Sequence, residues 1–361
     1  MKTGPTIKNR GALSNPEGRF TKTSHEYYDD GWNREEEALP PLETFLYPES
    51  AKTIISRNES PDIGFEQSIN PYKGCEHGCI YCYARPSHAY MDLSPGLDFE
   101  TKIFYKPDAA ELLRKEINKA NYQCKPIVIG ANTDPYQPVE GKLKITRSLL
   151  EVLLEHQHPV VVITKNSLLE RDFDLLTAMA KSNLAKVAVS ITSLSTDLKR
   201  IMEPRTSAPS ARLRLVQGLA QNNIPVQVML APVIPMINDM ELEGVLEAVS
   251  RAGARNAAYV LLRLPHEVKD LFKEWLGKHF PERAAHIMSL IRQMRGGKEY
   301  DSTFGTRMRG EGEFANLLKM RFQLACKRFG LNTERQIALN TSQFRKIEQG
   351  PKQLNLWDEF R

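Results

Sequence analysis

Three cysteines fall within eight residues of this chain, in the stretch Cys75-x3-Cys79-x2-Cys82. Thiolates this close in sequence can hold a metal centre on one short loop. Three ligands are one fewer than a closed structural zinc site or a ferredoxin-type cluster takes. The spacing therefore indicates a four-iron, four-sulfur cluster with one iron open to a small molecule. Zinc, with His77 or His88 as the fourth ligand, is the alternative.

Cysteine usage and hydropathy indicate the cellular location of the protein. The chain has five cysteines, of which two are isolated, and this pattern does not form the dense disulfide framework of secreted domains. The longest apolar runs are strand-sized and fall well short of the roughly 20 residues that a membrane helix needs. Residues 1–20 lack the apolar centre of a signal peptide. We therefore expect a cytoplasmic protein with no membrane segment.

The excess of positive charge is uneven along the chain. The formal net charge is only +5, but the segment from Arg283 to the last residue carries fifteen Lys or Arg against eight Asp or Glu. A basic segment of this kind suits a nucleic acid, and solvated helix faces give the same pattern. A nucleic acid is therefore one candidate partner.

Short apolar or β-branched runs alternate with amphipathic stretches beyond residue 60, at the spacing of strand–helix–strand units with parallel strands. The predicted strands are 68–70, 127–131, 160–164, 187–192, 226–231 and 259–263. The predicted helices between and after them are 108–120, 146–156, 170–181, 209–222, 241–252 and 266–279. Because the runs are apolar throughout, both faces of the sheet should be covered. The pattern predicts an α/β fold with a partial (β/α)6 TIM-like barrel, and an open doubly wound sheet is the alternative.

The chain divides into three predicted regions. Residues 1–59 are polar, lack a sustained period and are expected to form an irregular amino-terminal arm. Residues 60–280 form the barrel. Residues 281–361 form a basic, helical carboxy-terminal extension, with helices expected at 282–295 and 313–329.

Polar residues follow the carboxyl ends of the predicted strands, where parallel β/α folds place their sites. The cysteine loop follows the first strand, Thr133 and Asp134 follow the second, and Lys165 follows the third. Ser190 lies near the end of the fourth strand and Arg263 at the end of the sixth. One polar strand end is ordinary, but several around one rim, with a metal loop among them, predict an active site.

The cysteine spacing, with Tyr81 just before the last cysteine, resembles the signature of the radical S-adenosylmethionine (SAM) superfamily. The stretches GCEHGCIYCYARPSHAY, NTDPYQPVE, VVVITKNSLLERD, SITSLSTDLKRIMEPR and APVIPMIND are similar to its spore photoproduct lyase-like branch. The flanking stretches SPDIGFEQSINPYKGC and RGGKEYDSTFGTRMRGEGEF are similar to a bacterial subgroup of that branch with no assigned substrate.

The resemblance implies that Cys75, Cys79 and Cys82 ligate a 4Fe-4S cluster, and that the amine and carboxylate of SAM chelate its open iron. An electron then cleaves SAM to methionine and a 5′-deoxyadenosyl radical, which abstracts hydrogen from a substrate. The electron comes from an external flavodoxin- or ferredoxin-like donor. The expected function is thus a radical SAM enzyme with an unidentified substrate.

Binding SAM requires acceptors for its amine and ribose and a cation for its carboxylate. We expect Thr133 and Asp134 to contact the amine or ribose, Ser190 the ribose and Lys165 the carboxylate, with Tyr81 beside the adenine. The arginines that are candidates for a carboxylate or phosphate of SAM or substrate, or for a surface ion-pair network, are Arg200, Arg205, Arg212 and Arg263.

One position departs from the lyase pattern. The lyases have a hydrogen-donating cysteine directly before the residue pair that follows the second strand, and Asn132 stands there in this chain. Cys124 precedes the strand and Cys326 lies in the carboxy-terminal extension. The resemblance therefore does not carry thymine-dimer reversal to this chain. The alternative function is a non-catalytic iron–sulfur or zinc protein that binds nucleic acid.

Overall fold

The structure is a computed structural model that describes residues 9–20, 42–334 and 338–347. The strands are β1 (Phe45–Pro48), β2 (Ile55–Arg57), β3 (Gln67–Ile69), β4 (Tyr72–Lys73), β5 (Lys102–Tyr105), β6 (Ile127–Ile129), β7 (Val160–Thr164), β8 (Ala185–Ser190), β9 (Val226–Val233) and β10 (Asn256–Leu261). The helices are α1 (Leu97–Thr101), α2 (Ala109–Ile117), α3 (Glu140–Leu143), α4 (Ile145–Glu155), α5 (Phe173–Ala180), α6 (Thr196–Met202), α7 (Pro209–Gln221), α8 (Leu242–Arg251), α9 (Val268–His279), α10 (Ala284–Gln293) and α11 (Gly312–Arg328).

A seven-stranded sheet in the order β10-β9-β8-β7-β6-β3-β2 forms the centre of the fold. Neighbouring strands from β3 to β10 are parallel, and β2 pairs antiparallel with β3 at one edge. Each of the six parallel strands overlaps a predicted one, but β10 begins three residues and ends two residues earlier than predicted, so Arg263 lies after the strand. They follow each other in chain order, without the reversal that a doubly wound sheet requires. The partial TIM-like barrel is confirmed.

Helices packed on the sheet bury their apolar sides. In α4, Leu149, Leu150 and Leu153 are fully buried, as are Phe272 and Trp275 in α9. These residues recur at the three- and four-residue spacing of one helix face. The helix expected at 170–181 begins later, because 167–172 form a tight 3-10 turn.

The side chain of Asn166 caps that turn by accepting a hydrogen bond from the backbone N–H of Leu168 at 3.0 Å. Such local side-chain bonds favour turns over α-helix. The turn therefore takes the place of the first residues of the predicted helix, and the order of the strands is as predicted.

Two short strands lie in the segment that we expected to be irregular. β1 pairs in parallel with β5, which also pairs with β4 in a small three-stranded sheet, and β2 joins the barrel edge. All four residues of β1 are exposed, so this strand lacks the alternation of buried and exposed residues that identifies strands from sequence. The division into arm, barrel and extension stays a prediction.

The carboxy-terminal extension packs against the last barrel units. The guanidinium of Arg321 on α11 lies 2.7 Å from Glu243 on α8. The segment 300–310 lies beside the edge strand β10, where the backbone N–H of Leu261 donates to the carbonyl of Met308 at 2.9 Å. In the described part of the chain, no helix is both long and apolar enough to cross a membrane.

Candidate active site

The cysteine loop begins directly after β4 and lies at the carboxyl end of the parallel strands of the seven-stranded sheet. Cys75 and Cys79 are buried, Cys82 is half-buried, and all three are free thiols. Burial raises the pKa of each thiol above its usual value. A bound cation has the opposite effect, because thiolate ligands lose their protons to it. The loop therefore presents three thiols that favour the ionised state only when a cationic centre is present.

The metal centre predicted for the three thiols is a multinuclear cluster, with a single zinc ion as the alternative. Among residues 9–20, 42–334 and 338–347, no group of three or more His, Cys, Asp or Glu side chains has the arrangement that one metal ion needs. A four-iron cluster is several ångströms across, so its ligands need not converge on one point. Iron–sulfur ligation with one open iron is therefore compatible with this loop, and the choice between cluster and zinc stays a prediction.

The two histidines that the zinc alternative names both have protein partners in the structure. The Nδ1 of His77 lies 3.3 Å from Asp134 Oδ2 and its Nε2 lies 3.2 Å from the amide nitrogen of Asn166, so both ring nitrogens have partners. His88 Nε2 lies 3.0 Å from the carbonyl of Lys102, and burial lowers the pKa of His88 to about 4. Its Nδ1 is buried without a partner among the described residues, but no three-ligand group includes it.

Two polar side chains join the cysteine loop to the loop after β6: Gln137 in the loop after β6 and Glu76 in the cysteine loop. Gln137 accepts a hydrogen bond from the backbone N–H of Glu76 at 2.9 Å and donates to the carbonyl of Gly74 at 3.2 Å. The carboxylate of Glu76 accepts from the backbone N–H of Val139 at 2.7 Å and from Arg205 at 2.9 Å. These bonds flank Cys75 on both sides and fix the backbone from which its thiol projects.

A buried ion pair holds the second half of the loop. Arg85 and Glu100 are both fully buried, with a guanidinium nitrogen 2.5 Å from the carboxylate. The Nε of Arg85 donates to the carbonyl of Cys79 at 2.9 Å. A buried charge pair is stable only when its remaining donors and acceptors are satisfied, as they are here. The pair therefore positions Cys79 through its backbone.

The segment 9–20, which we call the strap, crosses the cysteine loop. The backbone N–H of Gly11 donates to the carboxylate of Glu100 at 3.0 Å, and Arg10 donates to the carbonyl of Glu100 at 2.8 Å. Gly11 lies so close to the loop that a Cβ there would be 1.7 Å from the carbonyl oxygen of Gly78. The strap thus contacts the loop between its first two cysteines.

Asp134 links three strand ends. Its Oδ1 accepts from the backbone N–H of Tyr136 at 2.9 Å and from the hydroxyl of Thr164 at 2.7 Å. Its Oδ2 accepts from the backbone N–H of Lys165 at 2.7 Å and faces His77. Burial alone would raise the pKa of Asp134, but His77 and these hydrogen bonds outweigh it and lower the pKa. Both oxygens already have protein partners, so Asp134 supports the rim. Its predicted contact with SAM stays a prediction.

Thr133 lies beside Asp134 and is buried. Its hydroxyl donates to the carbonyl of Tyr72 at 3.0 Å. The backbone N–H groups of Asn132 and Thr133 both point at the side-chain oxygen of Asn70, at 2.8 and 3.4 Å. This turn therefore joins the end of β6 to the residues that lead into the cysteine loop.

Lys165 and Tyr81 lie near each other at the rim, and their predicted contacts with SAM stay predictions. The ammonium nitrogen of Lys165 lies 6.0 Å from the centre of the Tyr81 ring and 3.4 Å from the carbonyl of Ala231. The hydroxyl of Tyr81 donates to the carboxylate of Glu203. The described residues place no carboxylate in an ion pair with Lys165.

Glu203 is the buried centre of a second polar network. It accepts from Thr192 at 2.8 Å and from Arg212 at 2.5 Å, in addition to Tyr81. Burial alone would raise its pKa, but the charges of Arg212 and Lys165 and these bonds lower it to about 2. Arg212 also donates to the carbonyl of Ser190 at 3.0 Å, so the network reaches the backbone of another predicted contact residue.

The four candidate arginines have different surroundings. Arg212 is buried against Glu203, and Arg205 pairs with Glu76 across the cysteine loop. Arg200 is exposed and pairs on the surface with a neighbour in α6. Arg263 lies at the end of β10 with its Cζ 5.5 Å from the centre of the Tyr83 ring.

The supporting residues Glu76, Glu100 and Gln137 were not among the predicted site residues. Glu76 lies inside the cysteine stretch and Gln137 follows the Asp-Pro turn, so their positions next to predicted residues were an available signal. Glu100 has no such signal, because it lies outside the cysteine stretch and pairs with Arg85 within that stretch and with the backbone of Gly11, 89 residues earlier.

Comparison with known proteins places this site in a family context. Residues 69–249 match the radical SAM superfamily. An uncharacterized protein of Mycobacterium tuberculosis is 34% identical over 231 residues, which are 63% of this chain and 68% of that protein. An uncharacterized protein of Methanocaldococcus jannaschii is 25% identical over 232 residues, covering 64% of this chain and 82% of that protein. Spore photoproduct lyase complexed with dinucleoside spore photoproduct has a similar fold, with a TM-score of 0.56 and 18% identity over 79% of this chain and 80% of that chain.

Proposed function

The chain belongs to the radical SAM superfamily, and we propose that Cys75, Cys79 and Cys82 ligate a 4Fe-4S cluster whose open iron binds SAM. When bound, the cluster and SAM together supply a 5′-deoxyadenosyl radical that abstracts hydrogen from a substrate. The observation that carries the proposal is the set of three free thiols on one loop at the carboxyl end of a parallel sheet. The hydrogen bonds of Arg85 and Gln137 preposition the loop.

The residues around the loop are suited to hold SAM. We propose that the ammonium of Lys165 pairs with the SAM carboxylate, which a partly buried site strengthens relative to water. The hydroxyls of Thr133 and Ser190, and the oxygens of Asp134, are the proposed acceptors for amine and ribose. Tyr81 is held against Glu203, so that its ring forms one wall of the proposed adenine site.

The substrate is proposed only by class. Spore photoproduct lyase, which has a similar fold, is complexed with a dinucleoside in one solved structure, and this supports a nucleic acid or nucleotide as one candidate for this chain. Asn132 has no weakly bound hydrogen to donate, unlike a thiol, so we do not propose thymine-dimer reversal. An external flavodoxin- or ferredoxin-like electron donor and a cytoplasmic location complete the proposal.

The test is a substrate-free assay of anaerobically reconstituted protein with a chemical reductant and SAM. We expect a brown protein with roughly four irons per chain that releases 5′-deoxyadenosine, detected by chromatography. A variant with Cys75, Cys79 and Cys82 all replaced by alanine is the matched control and should do neither. A colourless protein with stoichiometric zinc and no SAM cleavage would instead support a non-catalytic binding protein.

A further inference from the structure

Arg263 lies two residues after the edge strand β10 and has no carboxylate partner in the described part of the chain. Among the described residues, its Nη1 lies 3.7 Å from the sulfur of Met308 and its Nη2 lies 3.4 Å from the hydroxyl of Tyr300. Its Nε is buried and has no hydrogen-bond partner within that part of the chain. A buried charged donor without a partner is costly, which makes it a place where a ligand acceptor binds favourably.

Two fully buried arginines near the cysteine loop are paired differently from the half-buried Arg263. Arg85 faces Glu100 and Arg212 faces Glu203, each with a guanidinium nitrogen 2.5 Å from a carboxylate oxygen. Arg263 therefore differs from Arg85 and Arg212 in having no carboxylate partner among the described residues, although the Nε of Arg205 is likewise buried without a hydrogen-bond partner there.

A second guanidinium increases the positive charge at the end of β10. Arg295 is 3% exposed and donates to backbone carbonyls, among them that of Leu262 at 2.7 Å. Burial, and next the nearby charge of Arg263, lower the pKa of Arg295. Asp301 is the acid that opposes this effect, and its oxygens already accept hydrogen bonds from Thr303 and Thr306.

Tyr83 connects this positive region to the cysteine loop. It directly follows Cys82, its side chain is 48% exposed, and its hydroxyl donates to the carbonyl of Ala131. The Arg263 guanidinium lies over its ring. An exposed aromatic ring beside a guanidinium suits a flat ligand that carries an anionic group.

We propose that Arg263 binds an anionic oxygen group of the substrate, a phosphate or a carboxylate, while the exposed ring of Tyr83 contacts the adjacent part of the same molecule. The inference rests on the proposed function, because it takes the rim around the cysteine loop as the active site.

The extent of the family match favours the substrate over SAM as the bearer of this anion. The family match ends at residue 249, whereas Arg263 and its neighbours Tyr300 and Met308 lie beyond it. SAM binding is common to the superfamily, so its contacts are expected within the matched region. Lys165, which lies in that region, is the proposed partner of the SAM carboxylate.

The test is calorimetric titration of the reconstituted protein with phenyl phosphate, phenylacetate and benzyl alcohol, which combine one ring with a phosphate, a carboxylate or no charge. We expect at least one anionic probe to bind about tenfold or more tightly than benzyl alcohol. The stronger of the two anionic probes identifies the group. Arg263→Gln should remove the preference, and Arg263→Lys should retain part of it. Arg309→Gln, an exposed position on the same extension, should bind like the unmodified protein.

Melting temperature and iron content establish that each variant is folded and loaded. If Arg263→Gln does not fold, phenyl phosphate should still protect Arg263 of the unmodified protein from phenylglyoxal, with Arg309 unprotected. Equal affinity for charged and neutral probes overturns the proposal, as does unchanged anion binding in Arg263→Gln. A variant that loses SAM affinity but keeps anion binding overturns it as well. Arg263-dependent anion binding in a protein that never cleaves SAM would contradict the proposed function and leave this site intact.

Discussion

The guanidinium Nε of Arg307 lies 2.6 Å from the carboxylate of Asp62, and this pair joins the carboxy-terminal extension to the loop after β2. The backbone N–H of Gly305 donates to the same carboxylate at 2.7 Å. One residue further along the extension, the carbonyl of Met308 accepts from Leu261 on β10 at 2.9 Å. A short segment therefore connects the two sheet edges, β2 and β10, that do not pair with each other.

We expect Asp62 and Arg307 to stabilise the fold as a coupled pair. Both side chains are largely buried, so Asp62→Asn and Arg307→Gln should each lower the free energy of unfolding by about 1–3 kcal/mol. The double variant should lose less than the sum, with a coupling of about 0.5–3 kcal/mol in urea unfolding. The exposed pair Glu247 and Arg251 is the matched control and should couple by less than about 1 kcal/mol. If the two losses of unfolding free energy are fully additive, Asp62 and Arg307 are not coupled, and this pair does not join the extension to the loop after β2.

The three clustered cysteines should be individually necessary for the cluster. Replacing Cys75, Cys79 or Cys82 by alanine should bleach the reconstituted protein and abolish SAM cleavage. Replacing Cys124 or Cys326 should change neither, because Cys326 is buried in α11 and Cys124 precedes β6, away from the loop. Visible absorption and iron analysis measure the outcome. Full iron content in the protein that lacks all three clustered thiols would refute this assignment.

Lys165 and Ser190 should determine SAM affinity without affecting the cluster. Losing a charged hydrogen bond typically costs about 1.5–3 kcal/mol, so Lys165→Ala should weaken SAM binding roughly ten- to a hundredfold. Ser190→Ala should have a smaller effect in the same direction. Lys115→Ala, at an exposed position on α2, is the control. Calorimetry that finds the same affinity in all three variants and the unmodified protein would remove both residues from the SAM site.

The parallel strands could be predicted from sequence because their signal is local. Runs such as Val160–Thr164 are β-branched and apolar throughout, and each is followed by a helix with one apolar face. The polar residues after these runs meet at one rim for the same reason, since parallel strands end at the same edge. Lys165 and Tyr81 were predicted one by one and lie together in the structure.

The supporting contacts could not be predicted, because they join residues far apart in sequence. Glu100 accepts a hydrogen bond from the backbone N–H of Gly11, and Arg307 donates one to the carboxylate of Asp62. A periodic pattern reports which face of an element is buried, but it carries no information on such pairs. Glu203 was visible only as one charge in a crowded loop, and its burial with Arg212 distinguishes it from a surface network.

Glu203 should make stability depend on pH in the acid range. Its pKa is lowered from 4.5 to about 2, so its stabilising effect is present above about pH 4.5 and is lost as the pH falls towards 2. Glu203→Gln leaves Arg212 buried without a counter-charge and should cost about 3–5 kcal/mol at neutral pH. The difference between variant and unmodified protein should shrink by about 2 kcal/mol between pH 6 and pH 3.

Comparing the two proteins at each pH cancels the contribution of the other carboxylates. Glu247→Gln, in an exposed pair, should differ from the unmodified protein by less than about 1 kcal/mol throughout. A difference for Glu203→Gln that stays constant down to pH 3 would contradict the lowered pKa.

Gly11 should control how firmly the strap holds the cysteine loop. A methyl group there would lie 1.7 Å from the carbonyl oxygen of Gly78, which is backbone and moves only if the loop moves. Gly11→Ala should therefore either displace the strap or shift Gly78, at a cost of about 1–3 kcal/mol in unfolding free energy. Because Gly78 lies between Cys75 and Cys79, the reconstituted variant should also release iron to a chelator faster.

Gly244→Ala is the matched control, since a Cβ at that helical position meets nothing within 4 Å and should stabilise α8. If Gly11→Ala matches the unmodified protein in both melting temperature and iron release, the strap does not support the loop. Lower stability of Gly11→Ala with normal iron release would show that the strap stabilises the fold but does not hold the cysteine loop in place for the cluster.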